Sequence, residues 1–442
     1  ARLVVVAFAV TILGGALLLT LPAMVRSGVR LNSFSDALFM STSAVCVTGL
    51  GVRDLADWSF LGQLTLLLLI QAGGLGITTF AKLALLAGKR RLALGERALL
   101  DTTHGHLRWV SPRDVFRQGL AYTLGCELLG TLLLAPPFIR DHGWLDGLWA
   151  ALFHAVSAFC NAGFSLWRDN LCQYREDWWV NAVMMALIVA GGLGFVVITD
   201  LLTWLRRRHA GLSTHFSLHT RTVIWTTLGL ILGGWAVILV LAWFRGDGRV
   251  QDQVLPALFL SVTTRTAGFN TIGIATLSHP ALLVVMVLMF IGGSPGSTAG
   301  GIKTTTFAVL IALVRSRARG RAETELFGRS VSFTVIGKAL GTLGAMAAAV
   351  LIATMALEIT ENGLAPYGEA RAFLPLLFEV VSALGTVGLT MDLTPRLSDS
   401  GRLVIDLCMF IGRLGPLLLA TATLVRQLPE RYTLPREDLL IG

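Results

Sequence analysis

Four glycine turns carry the chemistry available to this sequence. Thr48-Gly49-Leu50, Ala162-Gly163-Phe164, Ala267-Gly268-Phe269 and Val387-Gly388-Leu389 each follow a short apolar segment and precede a polar stretch and a long apolar run. Their glycines lie 114, 105 and 120 residues apart. Glycine takes up left-handed backbone without steric penalty. A turn built on it can align carbonyl oxygens, and rings of carbonyls replace the water around a cation. One such tripeptide means little, and the plain alternative is four glycine-capped helix ends. Four equivalent turns instead imply a pore lined by four carbonyl loops. The stretches facing it would be Cys46, Val47, Thr48 and Gly49; Cys160, Asn161, Ala162 and Gly163; Arg265, Thr266, Ala267 and Gly268; and Gly385, Thr386, Val387 and Gly388.

Turns of this kind need a scaffold, and composition says which. Of 442 residues, 54% are hydrophobic and 14% charged, with mean hydropathy +0.70. Soluble chains carry about 25% charged residues, so this is an integral membrane protein whose surroundings are the lipid bilayer. Eight apolar runs are long enough to span it as helices: 1–24, 59–87, 116–137, 178–205, 222–244, 281–314, 333–357 and 402–425. No alternating pattern suggests a barrel. The expected fold is all-α, with four span–pore helix–filter–span repeats in pseudo-fourfold symmetry around one ion pore.

The repeats fall at 1–87 (filter 46–50), 115–210 (filter 160–164), 222–314 (filter 265–269, gate loop 292–303) and 331–427 (filter 385–389). Linkers occupy 88–114, 211–221 and 315–330, with a tail at 428–442. The short helices are expected at 32–45, 144–159, 252–264 and 371–384, too short to cross and suited to re-entrant segments. Ser33, Ser35 and Asp36, Asp146, Asp252 and Glu369 mark their starts. The C-terminal end of each helix dipole would point inward and favour a cation.

The net charge of +9 follows topology and does not imply nucleic-acid binding. Segments 88–117, 205–221, 315–338 and 426–442 hold 20 Lys and Arg and 8 Asp and Glu. Segments 25–58, 138–177, 245–280 and 358–402 hold 12 and 16. The positive-inside rule places the first set, and both termini, in the cytoplasm and all four glycine turns outside. Residues 1–24 read as a first span and not a signal peptide. The five cysteines show no metal-ligand spacing and read as free thiols.

A second glycine mark keeps register. Gly73, Gly191, Gly292 and Gly412 lie 24, 28, 24 and 24 residues beyond the turn glycines. In repeats one and two these read as close-packing positions. In repeat three, Gly292, Gly293, Ser294, Pro295, Gly296, Ser297, Thr298, Ala299, Gly300 and Gly301 contain six glycines or prolines and cannot hold a helix. Irregular backbone at membrane depth must be buried or line a water cavity. Its place below the filter makes it a candidate gate loop; the alternative is a packing kink. The spacing from Gly296 to Gly301 resembles a phosphate loop, but Ile302 displaces Lys303 and no strand precedes it.

Arg413 sits in the same register of repeat four. An arginine there costs on the order of 2.5–3.5 kcal/mol on insertion scales. It could repel cations and donate to gate-loop carbonyls, or act only as a structural donor. Lys303 either snorkels to the cytoplasm or assists that barrier. Arg265 is expected to brace the filter through Glu379 or Asp392, with Asn161, Asn270 and Glu379 as polar support. His154 reads as a satisfied buried histidine. Arg206-Arg207-Arg208 and Arg315 to Arg319 read as solvated positive-inside charge, with partner docking second.

Thr386-Val387-Gly388 matches the first half of the TVGYG filter of potassium channels. With "AFCNAGFSL" (158–166), "TTRTAGFNTI" (263–272), "FEVVSALGTVGLT" (378–390) and "GGSPGSTAGGIKTTT" (292–306), the chain resembles the Trk/Ktr/HKT superfamily of potassium transporters over essentially its whole length. It looks more like the KtrB type than the longer TrkH type. The resemblance implies potassium uptake across the cytoplasmic membrane, with K+ held at filter carbonyls and a glycine in each filter. It also implies a gate loop with an arginine at the place of Arg413, a membrane homodimer, and a KtrA-like nucleotide-binding ring carrying ATP or ADP. Sodium enters as a candidate activator, and no covalently bound cofactor is expected. The competing reading is a sodium-coupled or sodium-conducting transporter of related fold. An intramembrane enzyme is disfavoured, because Glu127, Asp200 and Asp406 are the only acids within the spans, each alone on its own span, so no catalytic cluster is assembled.

Overall fold

The computed structural model describes residues 2–75, 112–209, 215–245, 250–363 and 373–425. The end of the run 59–87 from residue 76 on, the linker 88–114 up to residue 111, Glu369 and the tail 428–442 lie outside these. The described residues are helical apart from connections and a two-stranded hairpin, β1 (Glu325–Leu326) and β2 (Arg329–Ser330).

Each repeat begins with a long or apolar helix: α1 (Arg2–Leu19), α4 (Pro112–His142), α8 (Leu218–Arg245) and α12 (Phe333–Asn362). Of these, α8, α12 and residues 117–142 of α4 are long and apolar enough to cross a membrane alone. Their outer faces are oily: Leu124, Leu128 and Leu132 on α4 and Leu351, Ile352 and Met355 on α12 are exposed. Lipid, not water, suits such surfaces.

A short buried helix follows in each repeat: α2 (Phe34–Cys46), α5 (Trp144–Cys160), α9 (Val250–Thr263) and α13 (Phe373–Gly385). These ends fall within about two residues of those read from the sequence. Ser33 and Asp36 form a capping box at the start of α2, while α5 begins after Gly143, with Asp146 in its first turn.

The second helix of each repeat returns alongside: α3 (Phe60–Gly74), α6 (Trp178–Leu193) with α7 (Phe195–His209), α10 (His279–Phe290) with α11 (Thr304–Ala318), and α14 (Asp399–Val425). The run 178–205 is not the single span expected. It breaks by 97° between α6 and α7, at Gly194 with φ +83°. The physical reason is packing: the loop between α10 and α11 occupies the space a straight helix would need. A methyl on Gly194 would lie 2.9 Å from the Pro295 carbonyl oxygen. The glycines of repeat two therefore do more than allow close packing.

Candidate ion pathway

The four turns share one backbone design. The residue two places before each turn glycine has positive φ: Val47 (56°), Asn161 (59°), Thr266 (67°) and Thr386 (49°). The glycines follow at 96°, 73°, 77° and 92°. The residue between keeps the ordinary sign. Alternating the sign of φ turns successive carbonyls to one side. Three of the left-handed residues, Val47, Thr266 and Thr386, are β-branched, so each costs on the order of 1–3 kcal/mol. The glycines themselves are not the helix caps.

Hydrogen bonds hold that strain. The amides of Thr48, Ala162 and Val387 donate to the carbonyls of Ser43, Ser157 and Ser382 at 2.9, 2.8 and 2.8 Å. This is the six-to-one bond of a left-handed helix end. The hydroxyls of Ser43 and Ser382 accept from the Gly49 and Gly388 amides, each at 3.1 Å. The Ser157 hydroxyl donates to the Phe164 carbonyl at 2.9 Å. In repeat three Thr263, one place nearer its glycine, donates to Phe269 O at 2.6 Å. These hydroxyls were not singled out in the sequence, although a serine six residues before the glycine recurs in three repeats.

The turns close into a ring. The missing side chain of Gly49 faces the Ala162 carbonyl, that of Gly163 the Ala267 carbonyl, that of Gly268 the Val387 carbonyl, and that of Gly388 the Thr48 carbonyl. The cyclic order is one, two, three, four, one. A methyl on Gly268 would sit 2.6 Å from Val387 O and 3.0 Å from the Gly163 Cα. No side chain larger than hydrogen fits at any of the four.

The second glycine mark packs the returning helices on the ring. Methyls on Gly73, Gly191 and Gly412 would overlap the carbonyl oxygens of Val45, Phe159 and Leu384. Each of these carbonyls lies four residues before its turn glycine, so one contact recurs in three repeats. In repeat three the chain leaves the helix here. Gly292 N donates to Ile302 O at 2.9 Å and Ile302 N to Phe290 O at 3.2 Å, closing the loop 292–301 with a parallel bridge between Ile291 and Ile302.

That loop lies under the ring. Thr298 Oγ1 donates to Phe159 O at 3.3 Å, and a methyl on Gly300 would overlap the Thr386 hydroxyl. The amides of Ser294 and Thr298 donate to Gly192 O and Gly191 O at 3.1 and 3.3 Å. Three cations bind loop carbonyls. Arg265 Nη2 donates to Gly292 O at 2.6 Å, Lys303 Nζ to Ala299 O at 2.6 Å, and Arg413 Nη1 to Thr298 O.

Two expectations need correction and one gains a place. Arg265 does not reach Glu379 or Asp392; its guanidinium is directed to the loop, and Glu379 accepts instead from Thr390 Oγ1 at 2.8 Å and from Thr394. Lys303 does not snorkel but turns back onto its own loop. His154 is buried, with Nδ1 2.8 Å from Ala150 O, Nε2 3.0 Å from Ser165 Oγ and its ring stacked on Trp167. Asn270 lies beyond the ring, its side chain donating to Ile272 O at 3.1 Å. Outside the spans, Asp54 and Asp57 face Arg168, the latter at 2.8 Å. Burial and then the Asp57 charge hold the Asp54 carboxyl above its ordinary range, against the pull of Arg168. Glu127, on α4, accepts from Gln71 Nε2 at 3.1 Å, and Asp200 accepts from Ser217 Oγ at 2.9 Å, so the membrane acids serve separate contacts.

Re-entrant hairpins around one carbonyl ring, inside an apolar helical shell, define a multi-pass membrane protein of the re-entrant-loop class. The chain belongs to the TrkH family of cation transport proteins, whose family model matches residues 4–430. It is 35% identical to the potassium/sodium uptake protein NtpJ of Enterococcus hirae over 100% of this chain and 97% of that one. It is 38% identical to the Ktr system potassium uptake protein B of Bacillus subtilis, over 94% and 91%. It is 36% identical to its namesake in Vibrio alginolyticus, over 100% and 94%. The crystal structure of the potassium transporter TrkH from Vibrio parahaemolyticus shares the fold, with TM-score 0.70 at 20% identity, covering 96% of this chain and 85% of that one. The family is one of cation transporters, not of enzymes.

Proposed function

We propose that this chain takes up potassium across the cytoplasmic membrane through the glycine-turn ring, with loop 292–301 as gate. The observation that carries the reading is the closed cycle in which each turn glycine faces the carbonyl of the next repeat. Carbonyls held so by backbone bonds need no reorganisation to receive an ion stripped of water. Potassium would sit at the carbonyls of residues 46–49, 160–163, 265–268 and 385–388. The gate would be the loop with Lys303 and Arg413, whose positive charge beneath the ring opposes cations until the loop moves.

A cytoplasmic KtrA-like nucleotide-binding ring would set the loop's position, with ATP and ADP bound there. The membrane unit would be a homodimer with both termini cytoplasmic, and sodium would activate it. The names of the B. subtilis and V. alginolyticus relatives support the potassium assignment. The potassium/sodium name of the E. hirae relative favours a second reading, in which sodium also passes.

The test is rubidium-86 uptake into proteoliposomes holding wild type, Gly268→Ser or a deletion of 294–300. The reading requires wild-type uptake that potassium blocks and sodium does not, damage at Gly268, and unregulated uptake after the deletion. No potassium-blockable uptake from any of the three would overturn it.

A further inference from the structure

The closing bridge of loop 292–301 has a second neighbour besides the ring. Its far side forms part of the wall of a cavity of about 730 Å³. The cavity is walled by Leu283 and Val287 of α10, Ile311 and Val314 of α11 and Leu343 of α12, and its lining is almost wholly apolar. Ile291 and Ile302, the two residues of the bridge, line it as well. Leu283, Val287, Ile311 and Val314 are each half or more exposed, so the cavity opens on the face that meets hydrocarbon. Its one charged wall residue is Arg315.

The dimensions fit one leaflet. Helix α11 runs eleven residues from Thr304, beside the bridge, to Arg315 in its last turn. At about 1.5 Å per residue that is about 17 Å, against about 15 Å for half the hydrocarbon core. A helix of that length along the membrane normal would carry the groove from mid-bilayer to headgroup depth, with its cation at the headgroup end. The Arg315 guanidinium makes no hydrogen bond or ion pair with the described residues, whereas Arg317 donates to Arg321 O and Arg321 pairs with Glu325. Arg319, exposed and close by on the same chain end, adds to the positive field. Basic pockets between membrane helices take anionic lipid headgroups.

We propose that this groove binds one acyl chain of an anionic phospholipid, with the phosphate on Arg315 and the chain end against Ile291 and Ile302. The bound chain would pack directly against the bridge that closes the loop. Lipid thereby favours the closed loop; that consequence rests on the transport reading, whereas the site does not.

Native mass spectrometry of the full chain, released from detergent after adding phosphatidylglycerol or phosphatidylcholine, tests the site without any transport. Wild type should retain one phosphatidylglycerol per chain in preference to phosphatidylcholine. Arg315→Gln should lower that preference about fivefold, the share of one basic residue at an anionic surface. Val287→Trp, at a position 61% exposed, should fill the groove and remove both lipids. Wild type that retains no phospholipid, or Val287→Trp that retains as much as wild type, would overturn the site. So would crosslinking of Val287→Cys between two chains in vesicles, which would give this face to a second copy. Rubidium uptake on the same preparations separates the two ideas: absent uptake with retained lipid sinks the transport reading alone.

Discussion

Arg413 Nη2 donates to the Gly73 carbonyl oxygen at 2.7 Å, joining the last returning helix to the first. Its other terminal nitrogen donates to Thr298 on the loop. One buried guanidinium thus bridges repeats one, three and four directly below the ring. Hydrogen bonds from charged donors contribute about 1.5–3 kcal/mol, so the loop is tethered by an interaction that a single substitution can remove. Arg413→Met should raise resting rubidium-86 uptake at least several-fold without any cytoplasmic partner. It should also lower the thermal midpoint in detergent. Unchanged uptake together with a lowered midpoint would make Arg413 a packing residue and leave the loop to other restraints.

The serines behind the turns give a second expectation. Ser43 and Ser382 each accept from a turn-glycine amide at 3.1 Å. Replacement by alanine costs about 1 kcal/mol at each site, and the strained left-handed residue next to the turn relaxes. Ser43→Ala and Ser382→Ala should each lower the rubidium-over-sodium uptake ratio while leaving total uptake within about twofold. The two effects should add if the hydroxyls act on separate turns. A selectivity ratio that stays at the wild-type value in the double variant would show that the six-to-one backbone bonds suffice.

Much of this site was legible because it is backbone chemistry repeated four times. Glycine spacing alone located the turns, and the second mark located Gly73, Gly191 and Gly412, which touch equivalent carbonyls. What failed was side-chain direction. Arg265 was expected to meet Glu379 or Asp392 of repeat four, yet it donates to Gly292 O of its own repeat, since nothing in the local pattern reveals whether a side chain will meet its own repeat or a neighbouring one. The break at Gly194 was hidden for a related reason. The residues 178–205 are apolar enough for one helix, and the bend follows from a loop one hundred residues later in the chain. Ser43, Ser157 and Ser382 were visible as a recurring offset, but the different offset of Thr263 obscured the rule in the third repeat.

The contacts of the returning helices predict a fold-level effect. A methyl on Gly412 would overlap Leu384 O, and one on Gly73 would overlap Val45 O. Neither neighbour is the flexible end of a side chain, so the helix must move away. Overpacking of this kind costs about 1–3 kcal/mol. Gly73→Ala and Gly412→Ala should lower detergent thermal stability, whereas Gly125→Ala on α4, where a methyl meets nothing within 4 Å, should not. A loss of stability at Gly125 as large as at Gly412 would mean that helix propensity or lipid contact, and not the ring, governs these positions.

The last expectation separates strain from closeness. Gly388 has φ +92° and Gly28 has φ +86°. Alanine at either site pays for left-handed backbone, about 1 kcal/mol or a little more. A methyl on Gly388 also overlaps Thr48 O across the ring, while one on Gly28 meets nothing within 4 Å. Both variants should therefore lose stability, but only Gly388→Ala should lose discrimination between rubidium and sodium, by tenfold or more if about 1.4 kcal/mol of the preference depends on that carbonyl. The measurement is the competition of sodium against rubidium-86 uptake, read beside the thermal midpoint of each protein. Equal discrimination in the two variants would assign the requirement for glycine to local backbone strain, and the facing carbonyls of the ring would then carry no selectivity of their own.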